Sequence, residues 1–214
     1  MTRSVHLRST LAHPPRPGGT GVRAAVAVGA LALGLVLSGC SGSSSGNAVV
    51  AVDQQIPGFG EVTTMAVGHR GDPVDLVGKD LDGKPLSLAS YRGKVVVVNV
   101  WNSGCAPCRA EAAGFEAVYR SDRSQGVQFL GIDTRDLQLP PAQQFVKAEG
   151  LTYPDFYDPG GSVLLQFPVG SVAPQATPST LVIDRQGRIA ARVLDSMTQA
   201  ELAQVVAPVL AEKS

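Results

Sequence analysis

Residues 101–111, WNSGCAPCRAE, come directly after residues 94–100, KVVVVNV, and the two stretches read together decide the fold. The first of them in chain order is β-branched and apolar on both faces, the pattern of a strand buried at the centre of a sheet. Two cysteines three positions apart follow it, in a chain of 214 residues that holds three. The pair is a redox disulfide, half of a metal site, or two buried thiols without chemistry.

The residues around the pair weigh these readings. Glu111, Phe115 and Val118 fall at helical spacing, so a helix is expected over about residues 106–121, with Cys105 at its N-terminus. There a thiolate faces unpaired backbone N–H groups and the positive end of the helix dipole, which lowers its pKa below the ~8.5 of a free thiol. Cys108 lies on the same helix face, placed to attack a mixed disulfide formed at Cys105. Pro107 in the first turn sacrifices no intrahelical hydrogen bond. Neither Ala106 nor Pro107 supplies a cation, which makes the pair less oxidising; Arg109 is the adjacent residue able to restore part of that stabilisation.

The rest of the chain supports a βαβ context. Residues 74–79 and 84–88 read as short strands about the turn DLDG, where Gly83 can take a positive φ. Residues 127–133, VQFLGID, form a second buried strand, and Pro141 opens a short helix stopped by Gly150. The alternation implies parallel strands with right-handed crossovers. YPDFYD reads as a short extended or turn segment, and GGSVLLQFPV as a short helix or loop. TLVIDRQGRIAARV is an antiparallel hairpin turning at Gln186 and Gly187. Thr198 with Glu201 forms a capping box for a last helix to about Ala211, with Pro208 inside it.

The N-terminus is set apart by composition. Arg3, Arg8, Arg16 and Arg23 are the only charged residues before an apolar and Gly run over residues 24–37, the pattern of an export signal. The run falls short of the ~20 apolar residues a membrane span needs. It ends in LSGC, which resembles the lipobox of bacterial lipoproteins; that resemblance implies cleavage before Cys40 and lipidation of its sulfur. The SGSSSGN that follows suits a flexible tether. The expected organisation is a signal peptide over residues 1–39, a lipidated Cys40 with a tether over 40–62, and one domain over 63–214. Loss of the signal removes four Arg and no acid from a chain with 18 basic and 18 acidic residues, so the mature domain is acidic and lacks the basic patch nucleic-acid binding requires. Cys105 and Cys108 then remain as an even pair in an oxidising compartment.

Together these residues resemble the thioredoxin superfamily and, within it, the membrane-anchored TlpA/ResA-like thiol-disulfide oxidoreductases. The likeness is carried by LVGKDLDGKPLSLASYRGKVVVVNVWNSGCAPCRAE and by TPSTLVIDRQGRI. It implies an α/β thioredoxin-like fold: a central mixed sheet flanked by helices, an N-terminal β-hairpin, and an insertion that suits residues 133–178. It also implies a cis-proline facing the thiols, which maps onto Thr177 and Pro178, with Pro174 as the alternative. There the Thr177 backbone would receive an extended peptide by β-type pairing. Asn99 stands where ordinary thioredoxins carry a buried acid, and Glu111 matches an acidic position near the thiols of ResA-like proteins. Glu111 is thus either a proton relay for Cys108 or a solvated residue near a helix start. Trp101 is either a core aromatic or a substrate platform beside the disulfide. Gly104 replaces a Trp that many relatives carry before the first Cys.

The function implied is an enzyme at the extracytoplasmic face of the cell membrane, held by a lipid anchor and working as a monomer. It would reduce disulfides of exported proteins, the family's typical client being the haem-binding Cys pair of apocytochrome c. A membrane thiol donor would recharge it, and no cofactor or metal is expected beyond the Cys105–Cys108 disulfide. The alternatives are an oxidase that installs disulfides and a copper-delivery protein using the two thiols with His69, Met65 or Met197. A peroxidase is disfavoured by Asn102, three before the first Cys, where peroxiredoxin-like proteins carry Thr.

Overall fold

The computed structural model describes residues 51–52, 62–172 and 177–213. The expected signal and Cys40 lie outside the described residues, as does most of the expected tether and the alternative Pro174. No helix among the described residues is long and apolar enough to cross a membrane.

In chain order the strands and helices are β1 (Ala51–Val52), β2 (Val62–Met65), β3 (Val77–Lys79), β4 (Pro85–Ser87), β5 (Val95–Trp101), α1 (Ala106–Asp122), β6 (Val127–Thr134), α2 (Leu139–Glu149), β7 (Asp155–Asp158), β8 (Ser179–Ile183), β9 (Ile189–Val193) and α3 (Gln199–Leu210). Seven strands form one sheet in the order β1-β2-β9-β8-β5-β6-β7, and β3 with β4 forms a separate hairpin. The pairs β5–β6 and β6–β7 are parallel, while β5–β8, β8–β9, β9–β2 and β2–β1 are antiparallel. This is the mixed thioredoxin-like sheet the resemblance implies.

Every residue of β5 is buried, because the sheet is covered on both sides. Val95, Val97 and Trp101 face a core shared with Phe115 of α1, Phe145 of α2 and Leu202 of α3. Val96, Val98 and Val100 face the other core, with Leu76 and Leu88 around the hairpin, Leu130, Phe156, Val163 and Ile183. Gly83 takes φ 80° in the hairpin turn, as its position requires.

Several boundaries differ from expectation for identifiable reasons. Ala51 and Val52, read as tether, pair with Thr64 and Met65 and extend the sheet at its edge. Residues 155–158 take the extended of the two expected forms and pair as a parallel strand: Phe156 fills the hairpin-side core while Asp155 points to the opposite face. Helix α2 opens at Leu139, earlier than Pro141, since prolines in a first turn forfeit no hydrogen bond. Residues 164–166 make a short 3₁₀ turn, and the capping box of Thr198 and Glu201 is formed in full. Pro208 falls in the last turn of α3, which ends at Leu210.

Candidate active site

Strand β5 delivers the chain to a tight turn in which Asn102 Oδ1 accepts from the Gly104 N–H at 3.1 Å and the Cys105 N–H donates to the Asn102 carbonyl at 3.1 Å. Cys105 is the N-cap of α1, with extended backbone at φ −84° and ψ 106°. Its Sγ accepts the Cys108 N–H at 3.1 Å, so the sulfur occupies the place a capping oxygen usually takes. The two cysteines form a disulfide with Cα atoms 5.3 Å apart. Cys105 is 9% exposed and Cys108 2%, so an incoming sulfur meets Cys105 first.

An open groove of about 410 Å³ leads to this sulfur, lined by Asn102, Gly104, Cys105, Pro107, Arg135 and Thr177. The Thr177–Pro178 bond is cis, and Pro178 is buried behind it. Thr177 Oγ1 accepts from Asn102 Nδ2 at 3.0 Å and from Arg135 at 2.7 Å. The Ser103 N–H and hydroxyl both donate to Asp136, each at 2.9 Å, which ties the approach to Cys105 to the loop after β6. Sequence reasoning missed Arg135 and gave Asn102 no structural part. Asn102 carried a visible signal, a short polar residue just before the motif. Arg135 carried none, because its place depends on a backbone φ of 66°.

Glu111, on α1 one turn after Cys108, belongs to a buried polar network. Glu111 is 4% exposed and not the solvated residue the alternative reading held. It accepts from Asn99 Nδ2 at 2.9 Å and from the Met197 N–H at 3.1 Å. Burial pushes its carboxyl up to about 7, against the pull of those two donors in the other direction. Asn99 also donates to Thr180 Oγ1 at 3.2 Å, so it braces β5 to β8 as well as holding Glu111.

Trp101 does not line the groove. Its ring is 1% exposed, stacks on Phe145 with centroids 4.3 Å apart, and spends its N–H on Asp155 Oδ1 at 2.8 Å. The substrate-platform reading therefore gives way to the core-aromatic one, since no face of the indole is free. Asp155 is itself buried, and burial raises its carboxyl to about 7 against the pull of the Trp101 N–H. Gly131 makes room for this pair: a Cβ there would meet Asp155 Oδ1 at 1.6 Å. Asp133 is wholly buried, and neither carboxylate oxygen has a hydrogen-bond partner among the described residues. Burial first, then Asp136, pushes it up to about 9.

Arg109, the cation adjacent to the motif, is committed elsewhere. It pairs with Glu149, donates to the Ser103 carbonyl at 3.3 Å, and lies over the Phe145 ring at 4.9 Å. The copper set is not assembled either. Met65 packs on the hairpin side of the sheet, opposite the core that holds Cys105, Cys108 and Met197, and His69 is exposed in a turn.

A sulfur at a helix N-terminus, a resolving sulfur one turn away and an open groove make up the equipment for disulfide exchange. Known proteins agree. The AhpC/TSA family model matches residues 71–192. The thiol-disulfide oxidoreductase ResA of Geobacillus thermodenitrificans is 32% identical over 146 residues, 68% of this chain and 79% of that protein. Among solved structures, a DsbF homologue from Corynebacterium diphtheriae is 34% identical with a TM-score of 0.64, covering 74% of this chain and 99% of that one. A secreted thiol-disulfide isomerase from Corynebacterium glutamicum is 30% identical with a TM-score of 0.66, covering 75% and 98%. The chain therefore belongs to the AhpC/TSA family, and it is a thiol-disulfide oxidoreductase related to ResA.

Proposed function

We propose that this enzyme works outside the cytoplasm, held to the membrane through a lipid on Cys40, and reduces disulfides in exported proteins, the Cys pair of apocytochrome c being the client class. The observation that carries the reading is the Cys105 sulfur, seated at the N-terminus of α1 and facing an open groove. The Cys105 thiolate attacks one client sulfur, the client disulfide breaks, and the departing client thiolate takes up a proton. Cys108, deprotonated with Glu111 as the nearby acceptor, then attacks the Cys105 sulfur. The second client thiol leaves, and the enzyme holds the Cys105–Cys108 disulfide until a membrane thiol donor returns two electrons. Thr177 and Pro178 form the wall along which the client strand pairs.

Reduction is favoured over oxidation by the two residues between the cysteines and by the pairing of the cation that follows them. An oxidant is a dithiol whose reduced form is stabilised. Ala106 and Pro107 offer no charge, and Arg109 is turned to Glu149. The export pattern of residues 1–39 and the LSGC ending support the location. Equilibration of residues 63–214 within the full mature chain in glutathione buffers tests the direction. A potential near the thioredoxin end, about −270 mV, is expected; one near about −120 mV would make the enzyme an oxidase.

A further inference from the structure

We propose that Arg135 makes the groove beside Cys105 selective for client segments that carry an aspartate or glutamate next to the disulfide. This rests on the reductase reading above and names the substrate class of the same site.

Arg135 is the one non-glycine residue at positive φ among the described residues. That conformation is strained for a residue with a Cβ. It persists because the loop is fixed on both sides: Thr134 ends β6, and Asp136 holds Ser103 with both carboxylate oxygens. The kink sends the side chain across the groove to Thr177.

Bracing Thr177 does not by itself account for an arginine there. Asn102 already donates to the same hydroxyl with a neutral group and ordinary backbone. One Arg135 nitrogen reaches Thr177, and the remaining guanidinium donors meet no acceptor and no acid among the described residues. The side chain is exposed, and among the described residues it is the only charged group lining the groove. Neither nearby acid forms an ion pair with it: Asp136 turns both oxygens to Ser103, and Asp133 is shut in the core. A planar guanidinium with free N–H groups is the side chain best matched to a carboxylate. A client strand with its disulfide at Cys105 places the residues flanking its own cysteine against that free edge.

Three synthetic disulfide peptides, identical except for Glu, Gln or Lys beside the cysteine, test the proposal. The readout is the ratio of kcat/KM for the Glu peptide over the Lys peptide. Wild type is expected to favour Glu by about three- to tenfold, as suits a partly solvated pair, with the preference shrinking at about 0.5 M salt. Arg135→Gly, which suits the backbone at φ 66°, brings the ratio to near one; Arg135→Lys keeps part of it, and Arg135→Glu inverts it. A wild-type ratio of one, or a ratio unchanged in Arg135→Gly, overturns the proposal while leaving the reductase reading intact. Exchange with none of the three peptides overturns both.

Discussion

Strand β5 shows two different faces to the molecule. Towards the β3–β4 hairpin it presents Val96, Val98 and Val100, packed among Leu76, Leu88, Leu130 and Ile183 without a polar partner. Towards the helices it presents Val95 and Val97, then Asn99 and Trp101, each bonded to a buried carboxylate, Glu111 and Asp155. The polar residues begin where the strand nears the cysteines. One face fixes the strand by apolar burial, and the other uses that rigidity to hold carboxyl groups whose ionisation lies near neutrality. Burying such groups costs stability, and the apolar face is what offsets the cost.

Changes on each face should fail differently, and the largest effect is expected at the site itself. Cys108→Ala removes the resolving sulfur, so turnover falls to the uncatalysed background while Cys105 accumulates mixed disulfides with client proteins. Gels run without reductant show this directly, and an empty trap would break the assignment of attacker and resolver.

On the hairpin face, Leu130→Ala opens a cavity at a fully buried position and should cost about 2–5 kcal/mol in denaturant unfolding. The fraction that stays folded should keep the wild-type redox potential. A shifted potential would mean that the two faces are not separable.

The smallest change is Glu111→Gln, whose effect depends on pH. The Glu111 carboxyl is raised from 4.5 to about 7, so the folded state prefers it protonated. Its contribution is fully present below about 4.5 and is lost as pH rises through about 7. Unfolding free energy of wild type should therefore fall relative to Glu111→Gln across that window. Asp133 and Asp155 push the same way in both proteins and cancel in the difference. Parallel curves for the two proteins would show that Glu111 is not the buried acid described.

The apolar face was legible in the sequence because an unbroken β-branched run has few other uses. The same holds for the cysteine pair, whose helix start follows from Pro107 and the spacing of Glu111, Phe115 and Val118. What stayed hidden was produced by distant contacts. Asp155 reaches Trp101 across 54 positions of chain and fits only because residue 131 is glycine. Glu111 could be placed on the helix face of Cys108, yet nothing local showed that Asn99 and the Met197 N–H would bury it. Arg109 looked like a thiolate partner by adjacency; Glu149, far along the chain, draws it away. Strand β7 was legible only as extended or turn, because a four-residue edge strand with two aspartates carries the marks of both.

The most direct test of the whole arrangement is the ionisation of the Cys105 thiol, followed by the pH dependence of alkylation in the Cys108→Ala variant. With its sulfur at the N-cap of α1, Cys105 should titrate well below the ~8.5 of a free cysteine. A midpoint at or above that value would contradict the claim that the helix N-terminus activates the sulfur.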